Sequence, residues 1–195
     1  MEMEAGRLET ALASILRLAP PRRLPWVVGG SAGLLLRGLE LAVPPRDLDI
    51  YSDDKHAPEL HEALRRFRQD EQIESRTAIY RSLLSHYSVE GVEVELVGGF
   101  EIRTAQCLYR AEVERRLWPG GSSRHGYVLV PLAHELIFNL LRQREDRASL
   151  ILRAMAGDSG EARMLRELLM ANRVRGPIRE RLEAWLSARE AGERT

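Results

Sequence analysis

Three short stretches of the sequence combine residue types and spacings that could do chemistry, and the first contains Gly29, Gly30 and Ser31. Glycines directly after a strand let the backbone turn sharply and approach a ligand closely, because no Cβ intervenes. A helix that begins there presents unpaired N–H groups and a positive dipole end, which favour an anion such as a phosphate. A tight turn followed by a capped helix explains the same residues without any ligand.

The second stretch places Asp47 and Asp49 two residues apart in the alternating segment DLDIYS. Period-two spacing puts both carboxylates on one face of a strand, roughly 6–7 Å apart along the chain. Aspartate is depleted in strands, and two like charges on one face repel each other unless a cation lies between them. Mg²⁺ meets this need, since it takes one or two carboxylates together with substrate phosphates. A water-exposed sheet edge is the alternative explanation for an isolated pair.

The third stretch, VEVELV, contains Glu93 and Glu95 on one face of a further strand. If this strand lies beside the Asp47–Asp49 strand, one of the two glutamates can reach the same cation. Glu95 is preferred because the apolar residues after it would continue into the core, and Glu93 is the alternative. Arg46, directly before Asp47, could pair with that aspartate or with a phosphate.

Composition limits the class of protein. The chain has 195 residues, is 44% hydrophobic and carries 29 basic and 29 acidic side chains. The zero net charge argues against a protein that coats DNA, and no apolar run approaches the roughly 18 residues of a membrane span. The first residues lack the basic-then-apolar order of a signal peptide, so a cytoplasmic protein without membrane contact is expected. The single cysteine, Cys107, excludes an internal disulfide and a multi-cysteine metal site.

Hydrophobic periodicity predicts the elements that position these residues. Strands are predicted at residues 26–30, 47–52, 82–89, 92–99 and 126–130, and helices at 7–18, 31–41, 58–69, 131–143, 147–156, 160–172 and 177–189. Residues 101–119 have no assignable pattern. The prediction is an α/β (α+β) fold with a mixed central sheet flanked by helices. It comprises a core with an N-terminal helix over residues 1–130 and a C-terminal helical region over residues 131–195.

A strand, Gly-Gly-Ser, a helix, Asp-x-Asp on a strand and an acid on a later strand together resemble the polymerase-β-like nucleotidyltransferase superfamily. The resemblance is to its small bacterial members, which include aminoglycoside and lincosamide nucleotidyltransferases and nucleotidyltransferase-like toxins and antitoxins. It implies a nucleotidyltransferase fold. It also implies nucleotide binding by Gly29, Gly30, Ser31 and Arg46. By the same resemblance, Asp47, Asp49 and Glu95 would be the catalytic carboxylates and would bind one or two Mg²⁺ ions, with Glu95 as general base.

The function implied by this resemblance is Mg²⁺-dependent transfer of a nucleoside monophosphate from ATP or another NTP to a hydroxyl. The acceptor, whether small molecule, RNA or protein, is not identified, and a homodimer or a small protein partner is compatible with the pattern. The alternative is a non-catalytic binding module on the same fold, such as an antitoxin or regulatory partner. Many relatives carry a lysine at the position that corresponds here to Asn139, followed by an Arg-Asp pattern that Arg144 and Asp146 match.

Overall fold

The computed structural model describes residues 2–105 and 107–192. The strands are β1 (Trp26–Gly29), β2 (Leu48–Ser52), β3 (Ile73–Arg76), β4 (Tyr80–Val89), β5 (Val92–Thr104), β6 (Cys107–Arg110), β7 (Ser122–Arg124), β8 (Tyr127–Leu129) and β9 (Arg173–Val174). The helices are α1 (Glu2–Leu18), α2 (Gly30–Leu36), α3 (Ala57–Ala63), α4 (Trp118–Gly120), α5 (Leu132–Leu141), α6 (Glu145–Ala154), α7 (Ser159–Ala171) and α8 (Pro177–Gly192). A 3₁₀ turn (Arg65–Phe67) and a π-helical turn (Val113–Leu117) complete the set. Across both described ranges, no helix has the length and apolarity needed to cross a bilayer.

The chain forms two compact units, of which the first comprises the residues up to 101 and residues 110–131. Its sheet has the strand order β3-β4-β5-β2-β1-β8-β7. Strand β2 runs antiparallel to β1 and parallel to β5, while β8 is parallel to β1. Both pairing directions occur in one sheet that is accompanied by helices, so the predicted mixed α/β class is confirmed.

The core of the first unit follows the predicted apolar pattern. Helix α1 contributes Leu8, Leu12 and Ile15 to a cluster in which each is at least 98% buried. Trp26, at the start of β1, is fully buried, and its indole N–H donates to the carbonyl oxygen of Ala19 at 2.7 Å. A buried indole needs such a partner because an unsatisfied N–H would cost the desolvation free energy. Strand β1 is thereby fixed against α1.

Helix α2 is shorter than the predicted span of residues 31–41. It ends at Leu36 because Gly38, two residues later, has a left-handed φ of +86° that terminates the helix. At the other end the cap residue is Gly29, in extended conformation, and no side chain caps the helix. Ser31 therefore lies inside the first turn, and its hydroxyl does not serve as the cap.

The second unit comprises residues 102–109 and those from 132 onward. The four predicted tail helices are present as α5 to α8, and the patternless stretch contains β6, which pairs antiparallel with β9. Both carboxylate oxygens of Glu161 accept N–H groups at the start of α5, from Leu132 at 2.9 Å and Ala133 at 2.8 Å. Asn139 is buried on α5, and its amide nitrogen donates to the carbonyl oxygen of Glu135 at 2.8 Å.

His134 makes the second unit sensitive to acid. The imidazole is fully buried, and its Nδ1 lies 2.7 Å from the hydroxyl of Tyr109. Desolvation by burial lowers the pKa of His134 from 6.5 to about 3. The unfolded chain therefore binds a proton below about pH 6.5 while the folded chain does not, and stability falls as the pH decreases toward 3. The slope from this group is up to about 1.4 kcal/mol per pH unit.

As the pH is lowered from 7.5 to 5.0, we expect the free energy of unfolding to fall less for His134→Gln than for the wild type. Urea unfolding followed by circular dichroism at both pH values measures this difference. The comparison uses the change with pH, so a constant cost from the lost contact with Tyr109 cancels. Equal losses in the two proteins would contradict the assignment of this acid sensitivity to His134.

Candidate functional site

Three adjacent strands bring residues from the predicted site into one row. On β1 and β2 the paired residues are Gly29 and Asp49, and on β2 and β5 they are Asp49 and Glu95. Paired residues of neighbouring strands lie about 5 Å apart and point to the same face of the sheet. The carboxylate-bearing residues Asp49 and Glu95 are therefore direct neighbours on one face, and the Gly-Gly turn adjoins them.

Gly30 is the point at which the Gly-Gly turn approaches Asp49. Its φ is +63°, a left-handed value that glycine adopts readily. A Cβ at this position would lie 1.9 Å from Oδ2 of Asp49, far inside van der Waals contact. The Asp49 carboxylate thus occupies the space that any side chain at position 30 would fill. Ser31 follows in the first turn of α2 and is partly exposed.

Asp47 lies one residue before the start of β2 and is partly exposed. The pKa of Glu95 is raised, mainly because the carboxyl group is partly desolvated. Repulsion by the charge of Asp47 raises this pKa further. The neighbouring His86 opposes this shift. Asp47 is thus close enough to Glu95 to disfavour the negative charge of that carboxylate.

Glu93 and Arg46 belong to a cavity of about 230 Å³ in the first unit, to whose wall Asp47 also contributes. Both Glu93 and Arg46 are exposed, whereas the side chain of Glu95 is only 34% exposed. Arg7 adds a second guanidinium to the lining and donates to the carbonyl oxygen of Gly91 at 3.2 Å. The structure places Glu95 opposite Asp49, and Glu93 on the wall of this cavity.

The sequence interpretation missed His86, which connects Glu95 to a further acid. Its Nε2 lies 3.8 Å from Oε1 of Glu95, and its Nδ1 lies 2.5 Å from Oδ2 of Asp70. The backbone N–H of His86 also donates to Oδ1 of Asp70 at 2.7 Å. Desolvation acts to raise the pKa of Asp70, but the hydrogen bonds from His86 outweigh it and lower that pKa. Asp70 thereby contacts both the imidazole and the backbone N–H of His86.

A signal for His86 was present in the predicted hairpin. Residues 90 and 91 form a two-residue turn in which both have positive φ, the geometry that joins two antiparallel strands most tightly. Such a turn pairs Val89 with Val92. Three residues farther from the turn on each strand, His86 pairs with Glu95. The same count could have been made from the sequence once the turn had been assigned.

The carboxylates of Asp47, Asp49 and Glu95 could hold a magnesium ion whose remaining ligands come from water and substrate. Within the two described ranges, no three His, Cys, Asp or Glu side chains form a group already able to hold a metal ion. Mg²⁺ does not require such a cage, because it commonly uses one or two carboxylates and takes its other ligands from water and substrate phosphates. Asp49 and Glu95 on one face, with Asp47 close to Glu95, provide hard oxygen ligands of this kind.

Two solved structures are similar to this chain. A protein from Thermotoga maritima, provisionally assigned as a nucleotidyltransferase, is 22% identical with a TM-score of 0.58, and the match covers 74% of this chain and 90% of that one. ANT(2″)-Ia, solved in complex with adenylyl-2″-tobramycin, is 11% identical with a TM-score of 0.47, and the match covers 94% of this chain and 97% of that one. No protein-family profile and no curated protein sequence matches the chain.

The similarity to the Thermotoga maritima protein shows the fold. This chain has a nucleotidyltransferase-like fold, and the predicted resemblance is confirmed at that level. At 22% identity the similarity shows the fold and does not assign a role to any individual residue.

Proposed function

We propose that this protein transfers a nucleoside monophosphate from an NTP to a hydroxyl group of an acceptor. The observation that carries the proposal is the row formed by Gly29, Asp49 and Glu95 on three adjacent strands, with Gly30 directly beneath the Asp49 carboxylate. Catalysis of this kind depends on positioning and on the neutralisation of phosphate charge. The proposed site supplies both, together with a fold found in a provisionally assigned nucleotidyltransferase.

Triphosphate binding is assigned to Gly29, Gly30, Ser31 and Arg46. The absence of a side chain at Gly30 makes room for the Asp49 carboxylate, which places a proposed metal ligand beside the proposed triphosphate position. The Ser31 hydroxyl is not used as a helix cap and can donate to a phosphate oxygen. Arg46 is exposed beside Asp47 and provides a guanidinium, which matches phosphate oxygens bidentately.

Asp47, Asp49 and Glu95 would hold one or two Mg²⁺ ions. A bound ion would offset the charge of the triphosphate and of the carboxylates themselves. The proposal accounts for the placement of several acids on one side of a sheet, which without a cation is electrostatically unfavourable.

The transfer itself is assigned to the neighbourhood of Glu95. Its carboxylate accepts the proton of the acceptor hydroxyl, the hydroxyl oxygen bonds to the α-phosphorus, and the bond from that phosphorus to the bridging oxygen breaks to release pyrophosphate. His86, held by Asp70, is a positioning residue that restricts the orientation of Glu95.

Incubation with α-labelled ATP, CTP, GTP or UTP, Mg²⁺ and a cell extract tests this proposal. The expected result is a labelled product from at least one NTP, formed together with pyrophosphate. If no NTP gives a product and calorimetry detects no Mg²⁺–NTP binding, the proposal is wrong. NTP binding without transfer would favour the non-catalytic binding module instead.

The two glutamates of β5 are expected to differ strongly when each is changed to glutamine. We expect Glu95→Gln to lower the transfer rate roughly 100-fold or more, because the base and a metal ligand are lost together. Glu93→Gln is the matched control, since it removes the same charge two residues away on the same strand, and it should change the rate less than about 5-fold. The transfer rates of both variants, measured at a saturating NTP concentration, test this difference. A larger loss in Glu93→Gln would make Glu93 the third acid.

A further inference from the structure

Asp70 lies one side chain away from the proposed reaction, because it contacts His86 and His86 contacts Glu95. Oδ2 of Asp70 lies 2.5 Å from Nδ1 of the His86 ring. The other ring nitrogen, Nε2, lies 3.8 Å from Oε1 of Glu95. The two contacts use different nitrogens of one imidazole, so a change at Asp70 can reach Glu95 through the orientation of the ring.

The backbone places Asp70 beside this ring. Asp70 belongs to the segment between the 3₁₀ turn and β3, and this segment is tied to β4. The N–H of Gln69 donates to the carbonyl oxygen of His86 at 2.9 Å, and the N–H of His86 donates in return to Oδ1 of Asp70 at 2.7 Å. The segment is therefore attached to β4 at the same residue whose imidazole Asp70 contacts.

The carboxylate of Asp70 decides which nitrogen of the His86 ring donates to it. Desolvation acts to raise the pKa of Asp70, but the hydrogen bonds from the backbone and the side chain of His86 outweigh it and lower that pKa. Asp70 is thus ionised near neutral pH, and an ionised carboxylate only accepts hydrogen bonds. Nδ1 is therefore the donor, and Nε2 is on the side of Glu95.

Stability gives little reason for this arrangement. The side chains of Asp70 and His86 are 45% and 37% exposed, and ion pairs between side chains so open to water contribute little to stability. Residues that orient a metal ligand, in contrast, commonly lower metal affinity or activity when they are replaced. The arrangement is therefore better explained by its effect on Glu95.

We propose that Asp70 is a positioning residue of the transfer site, which fixes the His86 ring with Nε2 toward Glu95. The inference rests on the proposed function, because that function assigns Glu95 to the reaction. It extends the site to a segment outside the three strands that carry Gly29, Asp49 and Glu95. A ring held at Nδ1 keeps one place beside the Glu95 carboxylate and limits the positions of that carboxylate, and small displacements of a reacting group are costly.

Asp70→Asn tests the proposal, because asparagine keeps the shape of the side chain and can still accept the backbone N–H of His86 through Oδ1. Its amide N–H groups then face Nδ1, which loses its hydrogen-bond acceptor. In long-range nitrogen–proton NMR spectra of the full chain, we expect Nδ1 to carry hydrogen in the wild type and to lose it in the variant. In the labelled-NTP assay, kcat should fall about 10- to 100-fold while KM for the NTP changes less than about 3-fold.

Two further variants separate positioning from attachment of the segment. In the His86→Ala background, Asp70→Asn should lower transfer by less than about 2-fold, because the residue through which Asp70 acts is absent. Glu71→Gln is the matched control, since it removes the neighbouring acid, which pairs with Arg68 at 3.1 Å. This variant should transfer at the wild-type rate.

The proposal is overturned if Asp70→Asn transfers as fast as an active wild type or if Nδ1 of His86 keeps its hydrogen in this variant. It is also overturned if the losses of Asp70→Asn and His86→Ala simply add in the double variant, because Asp70 would then act independently of the ring. Each of these results leaves the proposed function in place. A wild type that transfers from no NTP overturns the proposed function and this inference together.

Discussion

Replacing Asp49 with asparagine is expected to reduce nucleotidyl transfer by roughly 10²–10³-fold. Asparagine preserves the shape of the side chain but removes the negative charge at the centre of the row formed by Gly29, Asp49 and Glu95. Because this carboxylate lies directly over Gly30, its loss removes a metal ligand at the place where the triphosphate is proposed to bind. Transfer of label from an α-labelled NTP measures the effect.

Two further observations make this test specific. Calorimetry should show weaker binding of Mg²⁺–NTP to Asp49→Asn, while the circular dichroism spectrum remains that of the wild type. Glu62→Gln, which removes a charge from an exposed ion pair on α3, serves as the control and should transfer at the wild-type rate. Transfer by Asp49→Asn at the wild-type rate would show that the metal and phosphate assignments are wrong.

Gly30→Ala is the second substitution with a large expected effect, and it affects both stability and transfer. An alanine there would have to adopt a φ of +63°, and its Cβ would overlap Oδ2 of Asp49 at 1.9 Å. We expect the free energy of unfolding to fall by about 1–3 kcal/mol. We also expect transfer to fall by roughly 10-fold or more, because relief of the overlap displaces the Asp49 carboxylate and small displacements at a site are costly.

Gly38→Ala is the matched control for the backbone part of this effect. Gly38 also has a left-handed φ, +86°, but an added Cβ would have no neighbour within 4 Å. This variant should therefore lose about 1–2 kcal/mol of stability and keep its transfer rate. Urea unfolding and the labelled-NTP assay measure the two quantities. Unchanged transfer in Gly30→Ala would mean that the close approach of Asp49 to Gly30 has no part in catalysis.

The sequence was informative where structure depends on neighbouring residues. The Gly29–Gly30 turn, the alternation that places Asp49 on a strand and the hairpin turn at residues 90 and 91 all follow from local backbone preferences. The mixed α/β class could also be predicted, because the hydrophobic period changes from two to 3.6 along the chain. His86 was within reach of the same reasoning, because the hairpin turn determines its partner.

The sequence could not predict features that depend on distant parts of the chain. Periodicity allowed either Glu95, the preferred candidate, or Glu93 as the third acid, and only the register of β2 against β5 shows that Glu95 pairs with Asp49. The predicted extension of α2 beyond Leu36 was wrong, because the conformation of Gly38 interrupted a favourable apolar pattern.

The sequence by itself determined which residues could form a phosphate and metal site, and the tertiary structure decided which of them lie together. Alternation along a strand is a property of the local backbone, so it can be predicted from a few neighbouring residues. The partner of a strand is chosen by the free energy of the whole core, which no short stretch contains. For that reason the pairing of Asp49 with Glu95, expected from the sequence only if their strands were neighbours, was established by the folded chain.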